Sequence, residues 1–212
     1  MSGSKINVAK QAIEYIKDKL HPEMILGIGT GSTVNFFIEE LKDLKNNFAG
    51  AVSSSEASSR LLSENGIEVF NLNDISEIAF YIDGADEVAP NKELIKGGGG
   101  AHTREKIVAS AAKEFICIVD DSKIVTKLGA FPLPVEVIPE SRSLVARRIV
   151  SMGGVPEYRA GFTTDQGNQI LNVKEIDISD PKELETLLNI IPGVVDNGIF
   201  AFNKPSVVLV SK

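Results

Sequence analysis

MILGIGTGST, residues 24–33, is the stretch that decides the fold of this chain. It opens with a short apolar run, typical of a buried strand, and apolar residues at helical spacing follow from Val34 to Leu44. A strand, a glycine loop and a helix in this order bring unpaired N–H groups and the positive end of a helix dipole to the loop, where anions bind. The spacing GxGxG is neither a Walker A loop nor the GxGxxG fingerprint. We therefore predict phosphate binding, ahead of dinucleotide binding or a purely structural turn.

Composition and charge narrow the class of protein. The chain has 212 residues, 43% hydrophobic and 24% charged, as in an ordinary globular protein. Its net charge of −7 argues against a nucleic-acid or acidic-membrane surface. The single cysteine, Cys117, lies in the apolar run FICIV, so we expect it to be buried and expect no disulfide within the chain. Since no apolar run approaches a membrane span and the N-terminus lacks a signal-peptide core, we expect a soluble cytoplasmic protein.

Polar loops follow further predicted strands in the first half of the chain. Short apolar runs predict strands at 49–52, 67–71, 78–82 and 115–119. DGADE (83–87) follows the third of these runs, and DDSK (120–123) follows the fourth. Ligands of open α/β sheets bind outside the carboxyl ends of the strands, so we expect one site here. For SSSEASSR (53–60), a capping box of Ser53 and Glu56 is the first interpretation and ligand contact the second.

A second glycine loop occurs in KGGGGAHTREK, residues 96–106. Four glycines precede a predicted helix over 103–114, with Lys96 before the loop and Glu105 in the first helical turn. A cation, a carboxylate and a row of backbone amides favour a negatively charged substrate, although a flexible loop is the plain alternative. With a sugar phosphate, Glu105 could remove a proton beside a carbonyl while Lys96 and loop amides stabilise the oxyanion, and Asp83 could move hydroxyl protons.

The carboxylates of DGADE have two other interpretations. Asp83 could cap a polar turn, or the group could bind Mg²⁺. A site rich in histidine is not expected, because His21 and His102 are the only histidines.

The second half of the chain has a different order of elements. Strands are predicted at 135–138, 157–162, 169–173 and 194–202, and helices at 141–152 and 180–191. The order βαββαβ is the ferredoxin-like arrangement, and Val207–Val210 is expected to rejoin the first sheet. The polar loops of this part contain no cluster of residues typical of catalysis or ligand binding, so we assign this part to packing or assembly.

Five motifs in the chain occur in the order of a known family: GIGTGST, SSSEAS, YIDGADE, IKGGGGAHTREK and FPLPVEVIP. From Gly27 to about Phe202 the chain resembles type A ribose-5-phosphate isomerases. The resemblance implies interconversion of ribose 5-phosphate and ribulose 5-phosphate through an enediolate, in the non-oxidative pentose phosphate pathway, without a cofactor or metal. It implies a Rossmann-like α/β domain of residues 1–129 and 204–212, an inserted ferredoxin-like α+β domain of residues 130–203, and a homodimer or tetramer.

The resemblance also assigns residues by motif. Glu105 becomes the proton acceptor, with Asp83 and Lys96 as further catalytic residues. The implied substrate-binding positions are Thr30, Gly31, Ser32, Thr33, Asp83, Gly84, Ala85, Asp86, Lys96, Gly97, Gly98, Gly99 and Lys123. Taken alone, Lys123 would be interpreted as a solvated lysine. Lys5 or Lys10 could supply the phosphate-binding lysine that some relatives send from the first helix. His102 stands where a larger apolar residue is common, and it could shift the loop or add a hydrogen bond.

Three other classes of protein fit the sequence less well. A sugar-phosphate sensor would be expected to lose its acid–base residues and to carry a DNA-binding segment, whereas Asp83, Lys96 and Glu105 are all present. A sugar-phosphate deaminase or lactonase would need a catalytic histidine, and neither histidine has a convincing setting. A nucleotide-dependent dehydrogenase is disfavoured by the glycine spacing.

Overall fold

An all-parallel sheet of five strands organises the first unit of the computed structural model, which describes residues 2–212. In spatial order the strands are β12 (Val207–Ser211), β6 (Ala112–Asp120), β3 (Ile78–Asp83), β1 (Ile25–Ile28) and β2 (Gly50–Ser53). This unit comprises the chain up to Gly84, Arg104–Lys123 and Pro205–Lys212. Parallel neighbours require crossover connections, which helices provide here.

The helices of this part are α1 (Ser2–Ile16), α2 (Ser32–Leu41), α3 (Glu56–Glu64) and α4 (His102–Ala111). The first two bury one face each at helical spacing, and both faces belong to one apolar core with β1. The fully buried side chains of that core include Val8, Ala12, Ile16, Leu26, Ile28, Phe37, Ile38 and Leu41. No helix within residues 2–212 is both long and apolar enough to cross a membrane.

Two antiparallel sheets form the second unit, which comprises Ala85–Thr103 and Ile124–Lys204. The larger sheet has the spatial order β10 (Val194–Asn197), β7 (Leu133–Val137), β9 (Gln169–Lys174), β8 (Val155–Tyr158), with helices α5 (Arg142–Ser151) and α6 (Pro181–Asn189). The chain order β7-α5-β8-β9-α6-β10 is ferredoxin-like, as predicted. The small sheet consists of β11 (Ile199–Phe200), β5 (Leu94–Ile95) and β4 (Glu87–Val88).

Several sequence predictions are confirmed in detail. Val207 of β12 pairs with Ile116 of β6, so the end of the chain does rejoin the first sheet. The α6 helix begins after Asp180, whose side chain accepts from the Glu183 N–H. Cys117 is a reduced thiol and is fully buried.

Other local predictions are wrong, each for a physical reason. Residues 67–71 form only an isolated bridge, from Val69 to Ala51, before the chain turns away. The helix predicted to Glu114 ends at Ala111, because Ala112 already pairs with Ile78 of β3. The N-cap of α3 is Ser55, which accepts from the Ser58 N–H, so the predicted Ser53–Glu56 capping box is not formed.

Two strand predictions also need correction in the second unit. The strand predicted at 157–162 lies earlier, at Val155–Tyr158. The run 194–202 divides into β10 and β11, which belong to different sheets. The division falls at Gly198, where a Cβ would lie 2.3 Å from the Lys96 carbonyl oxygen. The predicted domain boundaries stay a prediction. They divide the chain into a Rossmann-like domain of residues 1–129 and 204–212 and a ferredoxin-like domain of residues 130–203.

A buried carboxylate organises one end of the second unit. Glu136 of β7 is fully buried and accepts from the Thr103 hydroxyl, from Thr164 Oγ1 at 2.8 Å and from Asn168 Nδ2 at 2.9 Å. The contact fixes Thr103, two residues before Glu105, against β7 and the loop between β8 and β9. A buried carboxylate is tolerated only with such donors.

We predict that Glu136→Ala lowers the free energy of unfolding by about 2–4 kcal/mol, because two buried donors, Thr103 and Thr164, and the partly buried Asn168 lose their shared acceptor. Urea denaturation measures the change. The matched control is Glu140→Ala, at an exposed position just after the same strand, which should change stability by no more than about 0.5 kcal/mol. Equal effects of the two substitutions would contradict a role for the buried network.

Candidate active site

Asp83, the last residue of β3, is the best-connected acidic residue at the carboxyl edge of the parallel sheet. It is fully buried, and its Oδ1 accepts from the Thr30 N–H at 3.1 Å and the Gly84 N–H at 2.7 Å. Its Oδ2 accepts from the Tyr81 hydroxyl. These donors offset the loss of hydration of the carboxylate. Asp83 therefore fixes the loop after β1 to the end of β3. Its bond to Gly84 reaches the adjacent residue, whereas an Asx turn would bond the residue two positions on, so the Asx cap stays a prediction.

The close approach of this loop explains one of its glycines. A Cβ on Gly29 would lie 2.0 Å from Asp83 Cγ, a distance that no side chain can accept. The Gly29 N–H donates to the Ile82 carbonyl at 2.9 Å, which keeps the two backbones side by side. The middle glycine of GxGxG is thus required by the packing of Asp83.

The N-terminus of α2 has the features of an anion site. The helix starts at Ser32 after Gly31, which has a φ of 113° and no side chain to cap the first turn, and that turn contains no acidic residue. Lys5 Nζ donates to Ser32 Oγ at 2.8 Å, whereas Lys10 Nζ lies 3.9 Å from Glu40 Oε1. Of the two candidate lysines, Lys5 is the one that brings positive charge to this helix end, where the dipole favours an anion.

Lys123 contributes to the same positive region. The pKa of Asp120, the last residue of β6, is lowered first by the side-chain hydrogen bond from Ser122, then by the Ser122 N–H and the charges of Lys123 and Lys5. Both lysines therefore act on one carboxylate at the carboxyl edge of the sheet. The motif-based assignment of Lys123 to substrate binding stays a prediction.

A buried tyrosine, Tyr81, lies close enough to Asp83 and Glu105 to be influenced by their charges. Burial raises the pKa of Tyr81 well above its ordinary value, and the charges of Asp83 and Glu105 raise it further. Glu105 is in the first turn of α4 and is 4% exposed. The preceding residue, Arg104, donates to Glu56 Oε1 of α3 at 2.8 Å.

Sequence reasoning missed Tyr81 as a site residue. The signal was its place in YIDGADE, two residues before Asp83 and so on the same face of the strand.

The glycine loop of the second unit has its own anchors. Lys96 follows β5, is 3% exposed, and has its Nζ 5.5 Å from the centre of the Phe200 ring. The Gly100 N–H donates to the Gly97 carbonyl at 2.9 Å, which closes a turn. Asp86 Oδ2 accepts from the Gly98 N–H at 2.8 Å. The second aspartate of DGADE therefore fixes this loop, as the first fixes the loop after β1.

His102 is fully buried in the second unit, against the glycine loop. A Cβ on Gly97 would lie 2.7 Å from His102 Nδ1, so the ring occupies the space beside Gly97. His102 Nε2 lies 3.3 Å from the Asp196 carbonyl oxygen. One of the two effects expected of His102, an added hydrogen bond, is therefore present, with the Nε2–H donating because a carbonyl oxygen only accepts.

The predicted site residues are divided between the two units along the chain. The first unit contains Thr30, Gly31, Ser32, Thr33, Asp83, Gly84, Glu105 and Lys123; the second contains Ala85, Asp86, Lys96, Gly97, Gly98 and Gly99. Within residues 2–212 no group of three or more His, Cys, Asp or Glu side chains is arranged to hold a metal ion.

Fold and site together define an α/β protein in which a helix N-terminus without acidic residues and a buried carboxylate lie at the carboxyl edge of the parallel sheet. A model of the family ribose 5-phosphate isomerase A (phosphoriboisomerase A) matches residues 50–212. The ribose-5-phosphate isomerase A of Legionella pneumophila (strain Corby) is 56% identical over 211 residues, 100% of this chain and 96% of that protein. This chain belongs to the ribose 5-phosphate isomerase A family.

Solved structures agree with that membership. The crystal structure of ribose 5-phosphate isomerase A from Neisseria gonorrhoeae has a TM-score of 0.92 and 47% identity, covering 99% of this chain and 94% of that one. A D-ribose-5-phosphate isomerase in complex with phospho-erythronic acid has a TM-score of 0.91 and 36% identity, covering 98% and 93%.

We predict that Tyr81→Phe lowers the free energy of unfolding by about 1.5–3 kcal/mol at neutral pH, since Asp83 loses a buried donor. Above pH 10 the difference should shrink. With its pKa raised in the folded state, Tyr81 keeps its proton there while the unfolded tyrosine loses it, so the wild type alone loses stability, by at most about 1.4 kcal/mol per pH unit.

Chemical denaturation at several pH values measures both effects. Tyr15→Phe is the matched control, because Tyr15 also donates to a carboxylate, Glu114 Oε1 at 2.6 Å, but is only partly buried. A Tyr81→Phe protein as stable as Tyr15→Phe at every pH would contradict the assignment.

Proposed function

We propose that this chain interconverts ribose 5-phosphate and ribulose 5-phosphate. The observation that carries the proposal is the grouping of Asp83, Tyr81 and Glu105 in the unit where the N-terminus of α2 offers an anion site. An aldose–ketose isomerase needs a phosphate site and a base that can reach carbon, and this group supplies both kinds of residue. Family membership over the full chain supports the same reaction.

In the proposed complex the substrate phosphate binds at Thr30–Thr33. The first-turn N–H groups of α2, the hydroxyls of Ser32 and Thr33, and the Lys5 ammonium are the donors. Lys123 adds positive charge. Local charge of this kind is required because the chain as a whole carries −7.

The proposed base is Glu105. In the direction from aldose to ketose it takes the proton from C2, and the electron pair forms the enediolate as the C1 carbonyl oxygen becomes an oxyanion. The same carboxyl group then returns the proton to C1. A proton passes from the C2 hydroxyl to the C1 oxygen, and we assign that transfer to Asp83. A positioned base of this kind supplies a factor of about 10² to 10⁴ in rate.

The oxyanion is assigned to Lys96 and the amides of Gly97–Gly99. Donors directed at a developing negative charge often contribute more to the rate than any other group in such reactions, about 10²- to 10³-fold each. The relative in complex with phospho-erythronic acid supports this arrangement, because that ligand is a phosphorylated sugar acid and combines a phosphate with a second anionic group.

The proposal includes the wider setting inferred from the sequence. We assign the reaction to the non-oxidative pentose phosphate pathway and the protein to the cytoplasm. We expect a homodimer or tetramer assembled through the domain of residues 130–203. We expect no nucleic-acid or membrane partner. We assign no cofactor and no metal to the reaction.

We predict that Glu105→Gln keeps the fold and binds ribose 5-phosphate, but loses about 10²- to 10⁴-fold in kcat, because an amide cannot accept the C2 proton. Ribulose 5-phosphate formation is measured with EDTA present, and substrate binding by calorimetry. The matched control is Glu64→Gln, an exposed position in α3 that should retain wild-type kcat.

The outcomes separate the function from the assignment of the base. No turnover by the wild type would overturn the proposed function and favour a sugar-phosphate sensor, especially if binding persists. Turnover by the wild type together with near-normal turnover by Glu105→Gln would remove Glu105 as the base.

We predict that Lys5→Ala raises KM about tenfold or more with kcat changed less than about threefold, because a hydrogen bond to a charged phosphate contributes to substrate and transition state alike. Lys10→Ala is the control, since Lys10 faces Glu40, and its KM should equal that of the wild type. Steady-state kinetics at fixed ionic strength measure both. A larger KM effect for Lys10→Ala would reverse the assignment.

A further inference from the structure

Arg159 lies just after β8 and contacts the glycine loop through its side chain. Its Nη1 donates to the Gly98 carbonyl at 3.2 Å and its Nη2 to the Gly97 carbonyl at 3.3 Å. Nη2 also donates to Asn172 Oδ1 of β9 at 2.6 Å. The guanidinium group therefore joins two consecutive carbonyl oxygens of the loop to the larger antiparallel sheet. None of the motifs recognised in the sequence includes this residue.

The central peptide of the glycine loop can adopt two orientations, and the hydrogen bond from Arg159 selects one of them. Gly97 to Gly100 form a turn closed by the Gly100 N–H, and the peptide between Gly98 and Gly99 is its central peptide. In β-turns this peptide can point in either of two opposite directions, which distinguishes types I and II, and glycine permits both. Here neither central glycine has a positive φ, so the turn is not of type II. The bond from Arg159 to the Gly98 oxygen holds that orientation.

The orientation of the central peptide fixes a hydrogen-bond donor. In a trans peptide the N–H of Gly99 points away from the carbonyl of Gly98, so holding one end directs the other. Gly99 is exposed, and a Cβ on it would meet no atom within 4 Å, whereas Gly97 and Gly100 are buried. The Gly99 N–H thus lies at the part of the loop that a small ligand can reach.

We propose that Arg159 is a positioning residue that fixes the central peptide of the glycine turn so that the Gly99 N–H is presented to the oxyanion of the enediolate. The inference rests on the proposed function, in which the loop amides stabilise that oxyanion. Arg159 acts through the backbone and does not itself contact substrate.

Three neighbours hold Arg159 in this role. Its guanidinium carbon lies 5.3 Å from the centre of the Phe162 ring, and Asn172 fixes Nη2. Asp86 accepts from the Gly98 N–H, so the turn is held on its N–H side as well as on its carbonyl side. Burial lowers the pKa of Arg159 and the Asp86 carboxylate opposes that shift, as expected for a partly desolvated guanidinium beside a carboxylate.

The test compares Arg159→Ala and Arg159→Lys with the wild type and with Arg147→Ala, an exposed arginine of α5. For Arg159→Ala we expect kcat to fall about 10²-fold, the effect of one oxyanion donor, with KM for ribose 5-phosphate changed less than about threefold. The inhibition constant of phospho-erythronic acid should weaken by the same factor as kcat/KM, as for a ligand that imitates the oxyanion. Added guanidinium chloride should restore part of kcat in Arg159→Ala and in no other variant.

Arg159→Lys keeps the charge but cannot match the planar fork, so we expect a kcat loss of roughly tenfold. This variant and Asn172→Ala carry the test if Arg159→Ala does not fold, and both should lower kcat rather than raise KM.

Three results would overturn the inference. The first is a kcat in the Arg159 variants equal to that of the wild type. The second is a change in these variants that affects KM alone. The third is a lower kcat with an unchanged inhibition constant for phospho-erythronic acid. All three require an active wild type, so they leave the proposed function standing. An inactive wild type would overturn the function and this inference with it.

Discussion

The buried carboxylate of Asp83 is the interaction on which the first unit depends. A carboxylate without water costs several kcal/mol unless donors surround it, and here the N–H groups of Thr30 and Gly84 and the Tyr81 hydroxyl do so. Because the donors belong to two different segments, the carboxylate can be satisfied only when the loop after β1 lies against the end of β3. The same requirement excludes any side chain at Gly29. The need to satisfy a buried charge thus sets the position of the loop that leads into the N-terminus of α2.

DGADE provides anchors for both glycine loops within five residues. Asp83 fixes the loop before α2, and Asp86, three residues later, accepts from the Gly98 N–H in the second glycine loop. Each glycine loop therefore has an aspartate as its anchor and keeps other backbone N–H groups for a ligand. An acidic motif in a protein that binds an anion looks contradictory until this division is recognised: the carboxylates organise amides, and the amides and lysines provide the positive potential.

Much of this could be predicted from the sequence because the signals are local. Apolar runs followed by glycine or acidic loops predict parallel strands with ligand residues at their carboxyl ends, and the alternation of elements after residue 130 predicts the ferredoxin-like order. Tyr81 had a local signal, its place two residues before Asp83, that sequence reasoning missed. Glu136 and Arg159 could not be found this way, since their roles arise from partners far along the chain. The end of α4 failed for the same reason: apolar spacing continues past Ala111, but pairing with β3 begins at Ala112. The pairing of β6 with β3, between residues far apart in the chain, therefore fixed the end of α4, which apolar spacing alone did not define.

These long-range contacts give the second unit a structural task beside the packing or assembly role predicted from the sequence, which stays a prediction. Its buried Glu136 holds Thr103, two residues before the proposed base, and its Arg159 holds the glycine turn. Both anchors come from the antiparallel sheet or its connecting loops, which are rigid because they are hydrogen-bonded into β7 and β9. A loop of four glycines has the largest backbone entropy to lose on ordering, so it needs fixed donors and acceptors around it to present its amides in one geometry. The hydrogen bonds from Arg159 and Asp86 are such contacts, and both come from the second unit.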